Sequence, residues 1–143
     1  MSRYGRAKSM RLNDMLGAID WPRGFVSLQV GPERAEGDGI VGCNDLLPDK
    51  PTWDDTAALI ACLDTVVTVD TAVAHLAGTM GKDVRLAMGM HGSFHWLAPR
   101  PGVSWNDRSP WYPCVRVYRQ TVPGEWGDVV ARIAGDLRMK EAA

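Results

Sequence analysis

Apolar positions along this chain recur at two different spacings, and the alternation between them outlines the fold. In "MRLNDMLGAI", Leu12, Met15, Leu16 and Ile19 fall at helical spacing behind Arg3, Arg6, Lys8 and Arg11, which predicts a short amphipathic helix or a docking tail. After a "WPRG" break, "FVSLQV" (Phe25 to Val30) reads as a compact strand stopped by Gly31-Pro32. The stretch from Glu33 to Lys50 is weakly patterned, with "GIVGCNDLL" as a candidate short strand. Thr52 and Asp55 then have the form of a capping box, and Trp53, Ala57, Ile60 and Ala61 carry a helix to about Leu63. "TVVTV", Thr65 to Val69, is β-branched throughout, as expected of a strand covered on both faces in a parallel sheet. The alanine-rich "TAVAHLAGTM" runs as a helix to Gly81, a residue suited to the left-handed position that closes it. "DVRLAM" and the alternating "CVRVYR" follow as strands. Trp126, Val129, Val130, Ile133, Ala134 and Leu137 form the apolar stripe of a last helix.

Strands and helices taking turns in this way predict an α/β fold: a Rossmann-like, open, mostly parallel sheet with flanking helices and right-handed crossovers. A chain of 143 residues that is 45% hydrophobic can bury one real core and is too short for two domains of ordinary size. Residues 1–24 read as an N-terminal helix and linker, and residues 25–140 as the lobe itself. Lysine plus arginine number 16 against 17 for aspartate plus glutamate, so no global field points to nucleic acid or to an anionic membrane. Cys43, Cys62 and Cys114 are scattered and form no CxxC pair, which argues against a disulfide framework or a zinc ribbon and fits a reducing cytoplasm. No apolar run approaches the roughly 18 residues of a membrane span, and no apolar signal core follows the basic N-terminus.

The chemistry concentrates in "VVTVDTAVAHLAG", Val66 to Gly78, where a strand passes directly into a helix. In open α/β sheets ligands sit beyond the carboxyl ends of the strands, where a helix N-terminus presents free N–H groups and partial positive charge. Small residues at Ala72 and Ala74 leave the first-turn amides open to a phosphate or diphosphate. Asp70 would repel that anion, so it is expected either to cap the helix or to accept from a sugar hydroxyl beside the phosphate; a plain helix cap with no ligand fits the same residues. His75, one turn further, fits a ligand hydrogen bond or a packed core position. Arg34, beyond the Gly31-Pro32 turn, is a phosphate partner or a solvated side chain. Trp96, Trp105, Trp111 and Tyr112 offer aromatic faces either to a ring of a ligand or to the sheet end. His91 and His95 are four apart, but Gly92 disfavours a helix there and no third ligand is near, so no metal site is expected. No GxSxG, cysteine–histidine or Walker pattern is present.

"DDTAALIACLDTVVTVDTAVAHLAGTMGK", "SPWYPCVRVYRQ" and "GEWGDVVARIAGDL" together resemble the C-terminal glycosyltransferase-like region of bacterial tetratricopeptide-repeat proteins, which is similar to the donor lobe of the heptosyltransferase family (family 9). The likeness runs from about Phe25 to Leu137, with "FVSLQVG", "DTAALI", "VDTAVAHLAG" and "SPWYP" in the expected order. It implies one lobe of a GT-B architecture and metal-independent glycosyl transfer from a nucleotide-diphospho sugar. It also implies a donor site of Gln29, Gly31, Asp70, Thr71, Ala72, Val73, Ala74, His75 and Trp96, with no cofactor beyond the donor substrate. The catalytic base of such enzymes lies on an N-terminal acceptor lobe that Met1 to Pro22 cannot supply, so no catalytic residue is assigned. The expected partners are a nucleotide sugar or nucleoside diphosphate, and an acceptor lobe on another chain or a second copy. After Gly81 the chain departs from the family: Arg85 interrupts a normally apolar strand, and only Trp96 matches an Asp-Trp-Arg-Trp-like segment. Arg85 is expected at a solvent edge, with aim at the phosphates as its other reading. Two function classes result, half of a glycosyltransferase and a non-catalytic or degenerate lobe used for binding or assembly.

Overall fold

The computed structural model describes residues 9–16, 19, 24–90, 94–96 and 109–142. Arg3, Arg6, Lys8, His91 and Trp105 lie outside the described residues. Helix α1 (Leu12–Leu16) leads to strand β1 (Phe25–Ser27), a 3-10 segment (Gly31–Gly37), β2 (Cys43–Asp45) and α2 (Trp53–Cys62). Then come β3 (Val66–Val69), α3 (Ala72–Thr79), β4 (Val84–Met88), a 3-10 turn (Phe94–Trp96), β5 (Val115–Arg119) and α4 (Gly127–Glu141). All described strand pairs are parallel, in two sheets of order β1-β2 and β3-β4-β5. The architecture is an open, Rossmann-like α/β lobe.

Each element follows from its residues. The expected capping box closes the N-terminus of α2: Asp55 N donates to Thr52 Oγ1 at 3.2 Å, and Thr52 N donates to Asp55 Oδ2 at 2.8 Å. At the other end of α2, Lys82 Nζ donates to the carbonyls of Ala61 and Leu63 at 2.7 and 2.9 Å, placing a cation on the negative end of the helix dipole. Gly81 adopts φ 73° and completes a Schellman closure of α3, with Lys82 N bonded to Ala77 O at 3.0 Å and Gly81 N to Gly78 O at 3.1 Å. Strand β1 is shorter than the sequence predicts. Ser27 Oγ accepts from Gln29 N at 3.2 Å, and this local turn competes with continuation of the ladder.

The period of two in β4 sorts its side chains between two cores. Val84, Leu86 and Met88 join Ile60, Val66, Ala74, Ala77, Val115 and Val117 on the side of α2 and α3. Ala87 faces the other way and meets Tyr118, Val129, Val130, Ile133, Ala134 and Leu137 of β5 and α4. Ile19, from the predicted N-terminal apolar pattern, is buried in that second core. Arg85 departs from its expected place at a solvent edge. It lies on the middle strand, is 8% exposed, and pairs through Nη2 with Asp83 at 3.1 Å. Asp83 Oδ2 also binds Lys140 Nζ at 2.9 Å, so one carboxylate oxygen is shared between the strand arginine and a lysine of the last helix, and the buried Arg85 Nε has no hydrogen-bond partner among the described residues.

The two sheets leave a gap. A cavity of about 350 Å³ lies between β1 and β3, roofed by Leu12, Met15 and Ile19 and bounded below by Leu28, Leu63 and Val73. Phe25 N bonds to Gly42 O and Val66 N to Asp83 O, which commits those residues to the outer neighbours. By ladder alternation, Val26 of β1 and Val67 and Val69 of β3 turn their N–H and C=O groups toward the cavity. The order of strands also reverses here: β1 pairs with the later β2 on one side, while β3, β4 and β5 build away on the other.

Candidate functional site at the carboxyl end of the sheet

A reversal of strand order opens a crevice beyond the carboxyl ends of the flanking strands. Gln29 follows β1, Thr68 and Val69 end β3, and Thr71 and Val73 begin α3; all of these line the cavity. Three predicted donor residues, Gln29, Thr71 and Val73, therefore converge on one opening although more than forty positions separate the first from the others.

Thr71, not Asp70, is the N-cap of α3, and no side chain caps the helix. Its hydroxyl lies 3.3 Å from that of Thr68. Thr71 and Ala72 are exposed, Val73 is half-buried against the α3-side core, and Ala74 is buried. The start of α3 is thus open to the outside at its first two positions and closed on its inner side. The expectation that Asp70 caps the helix is not met. Asp70 is buried and its Oδ1 accepts from the Trp96 indole N–H at 2.8 Å.

That bond belongs to an aromatic knot on the inner side of α3. The His75 ring stacks on Trp96 with centroids 4.7 Å apart, and its Nδ1 lies 3.2 Å from the Tyr112 hydroxyl. His95 approaches His75 edge-on at 5.4 Å. His75 is half-buried among these rings. Gly78 makes the arrangement possible, because a Cβ there would stand 2.8 Å from Tyr112 Cγ. Arg119, at the end of β5, donates to the Trp96 carbonyl and to Met88 Sδ. Burial pulls the Arg119 guanidinium below its ordinary value, and the nearby Asp70 carboxylate acts in the opposite sense. The charges of Asp70 and Arg119 thus act against each other.

Other candidates are placed elsewhere. Gly31 has φ 74° and opens the exposed 3-10 segment, without lining the cavity. Arg34 is committed to the protein: its guanidinium pairs with Asp45 and donates to the carbonyls of Leu47 and Pro48. Trp111 is exposed, while Trp96 is buried. Sequence reading did not find Thr68 or Arg119 as parts of this region. The polar position in "VVTV" was the available sign for Thr68; for Arg119, a charged residue closing an apolar strand was the sign.

Among the described residues no cluster of three metal-ligating side chains occurs, and no helix is long and apolar enough to cross a membrane. No protein-family profile matches the chain, and no solved structure gives a significant match. The chain is similar to Protein FlbA of Caulobacter vibrioides, with 32% identity over 114 residues; the match covers 80% of this chain and 17% of the length of FlbA.

Proposed function

We propose that this lobe binds a nucleotide-diphospho sugar, or the nucleoside diphosphate it releases, at the crevice between β1 and β3, with the diphosphate against the first turn of α3. One observation carries the reading: an uncapped helix N-terminus with exposed Thr71 and Ala72 stands where the strand order reverses. The likeness of "VDTAVAHLAG" and "SPWYP" to the heptosyltransferase donor lobe supports it. In this assignment residues 25–140 form the donor lobe of a GT-B glycosyltransferase and residues 1–24 an N-terminal helix and linker. Gln29 faces the nucleoside and Thr71, Ala72 and Val73 meet the diphosphate, while Gly31, which does not line the cavity, and the buried Ala74 make no direct contact. Asp70, His75 and Trp96 form the wall behind it.

The chemistry is displacement at the sugar C1. The C1–O bond to the diphosphate breaks as the acceptor oxygen bonds to C1, and the nucleoside diphosphate leaves with the bonding pair. Negative charge grows on the leaving oxygen, and amides already aimed at it stabilise that charge without reorganising. The base that takes the acceptor proton is contributed by an acceptor lobe that residues 25–140 do not include.

Titration calorimetry with UDP, ADP, GDP and CDP, and with their sugar conjugates, tests the reading. Ala72→Asp is the informative variant, because a carboxylate at this exposed position suits the helix dipole but repels a diphosphate. At about 4 Å such repulsion is worth more than 1 kcal/mol even near a protein surface. Binding roughly tenfold weaker or worse, with an unchanged or raised melting temperature, is therefore the expected result. The second reading, a non-catalytic binding or assembly lobe, is favoured by the inner side of the α3 junction, where the chain's own Trp96 and His75 fill the space. Absence of heat with every nucleotide, on protein shown to be folded, selects that reading.

A further inference from the structure

The cavity between β1 and β3 is a mismatch in physical terms. Its walls are aliphatic, from Leu12, Met15 and Ile19 above to Leu28, Leu63 and Val73 below. Its two sides are strand edges that present backbone donors and acceptors at Val26 and Val67 and the N–H of Val69, whose carbonyl accepts from Thr68 Oγ1 at 3.2 Å. Water suits the edges but not the walls, and an aliphatic ligand suits the walls but leaves peptide groups unpaired. What complements each edge chemically is the other edge.

We infer that β1 and β3 are the two sides of a closing seam, and that a diphosphate ligand bound at the mouth between Gln29 and Thr71 draws them into one continuous sheet. The inference rests on the proposed ligand site. The halves can approach as units because each is tied internally and the two are already linked. Arg34 pairs with Asp45 within the β1-β2 half. Helix α1 spans both halves: Leu12 N donates to Glu36 of the 3-10 segment at 3.1 Å, while Met15 packs against the α4-side core. Gln29 and Thr71 stand at the carboxyl end of the seam, so a ligand touching both spans the gap where the strands must meet.

Residue-resolved amide hydrogen exchange on the full chain, with and without UDP and ADP, tests the seam. Val66 and Thr68, committed to β4, are the internal reference for a paired strand. Exchange at Val26, Val67 and Val69 is expected to be fast without nucleotide and to slow at least tenfold when nucleotide is bound, while the reference amides change little. Three results overturn the inference. Protection of these amides equal to the reference without nucleotide means that the sheet is already joined. Calorimetric binding without added protection removes the seam and leaves the ligand site standing. No nucleotide binding at all removes both.

Discussion

The β3-β4-β5 sheet and the β1-β2 pair are built from the same strand type and differ in what covers them. Every residue of β4 is buried, and the two cores on its faces run continuously into α2, α3 and α4. In β2 no residue is buried, and in β1 only Ser27 is. The larger sheet is held by full apolar burial, whereas the smaller pair has a parallel ladder of three residues, the exposed Arg34–Asp45 ion pair and only partly buried contacts of Phe25 and the following Leu28 with the two cores, weaker ties. The candidate site lies where the two meet. A rigid platform therefore supplies Thr71 and α3, and a lightly held segment supplies Gln29.

The contrast is open to direct attack. Leu86→Ala removes a fully buried side chain from the middle strand and is expected to cost about 3 kcal/mol, against less than about 1 kcal/mol for Val26→Ala in β1, both by chemical denaturation. Equal losses would mean that the two sheets share one core. Trp96→Phe keeps the ring against His75 but deletes the donor to Asp70; a loss of about 2 kcal/mol is expected, because the partner is a buried carboxylate. The same variant should leave exchange in the β1-β2 pair unchanged.

The smallest effect concerns the underside of the platform. Tyr118 donates to Asp136 Oδ2 at 2.5 Å, and Arg116 pairs with the same carboxylate. Burial foremost, and then the bond to Asp136, push the Tyr118 phenol up to about 12. The folded protein thus favours the protonated phenol. The resulting stability is fully present below pH 10 and is lost as pH rises from about 10 to about 12, at most about 2 kcal/mol in all. Tyr118→Phe should flatten this alkaline limb of the stability curve. Asp136 has the opposite dependence. Burial alone would raise its pKa, but the bonds from Tyr118 and Arg116 outweigh burial and hold the carboxyl below its ordinary value. Its contribution is present above about pH 4 and is lost as pH falls through the folded value.

Much of the platform was legible from local signals. The Thr52–Asp55 box, the β-branched run before Asp70, Gly81 and the stripe from Val129 to Leu137 each act within a few residues, so one stretch of sequence contains both the cause and its effect. Less of the site could be read. Asp70 looked like a cap because it precedes an alanine-rich helix, yet its partner is an indole 26 positions away. Arg85 looked like an edge residue because charge interrupts the strand pattern, yet it lies on the middle strand, where Asp83 pairs with it. Arg34 looked free for an anion until the chain after β2 returned to it.

By itself, the sequence determined the alternation of elements, the parallel α/β class, the start of α2, the close of α3 and the buried face of α4, because helix caps, β-branching and apolar period act over one or two turns of chain. Tertiary structure alone decided that β1 stands apart from β3, that Gln29 and Thr71 share one cavity, and that the Trp96 indole bonds to Asp70. Those outcomes depend on which surfaces meet after the chain has turned back on itself, and contact between residues far apart in sequence leaves no periodic mark along it.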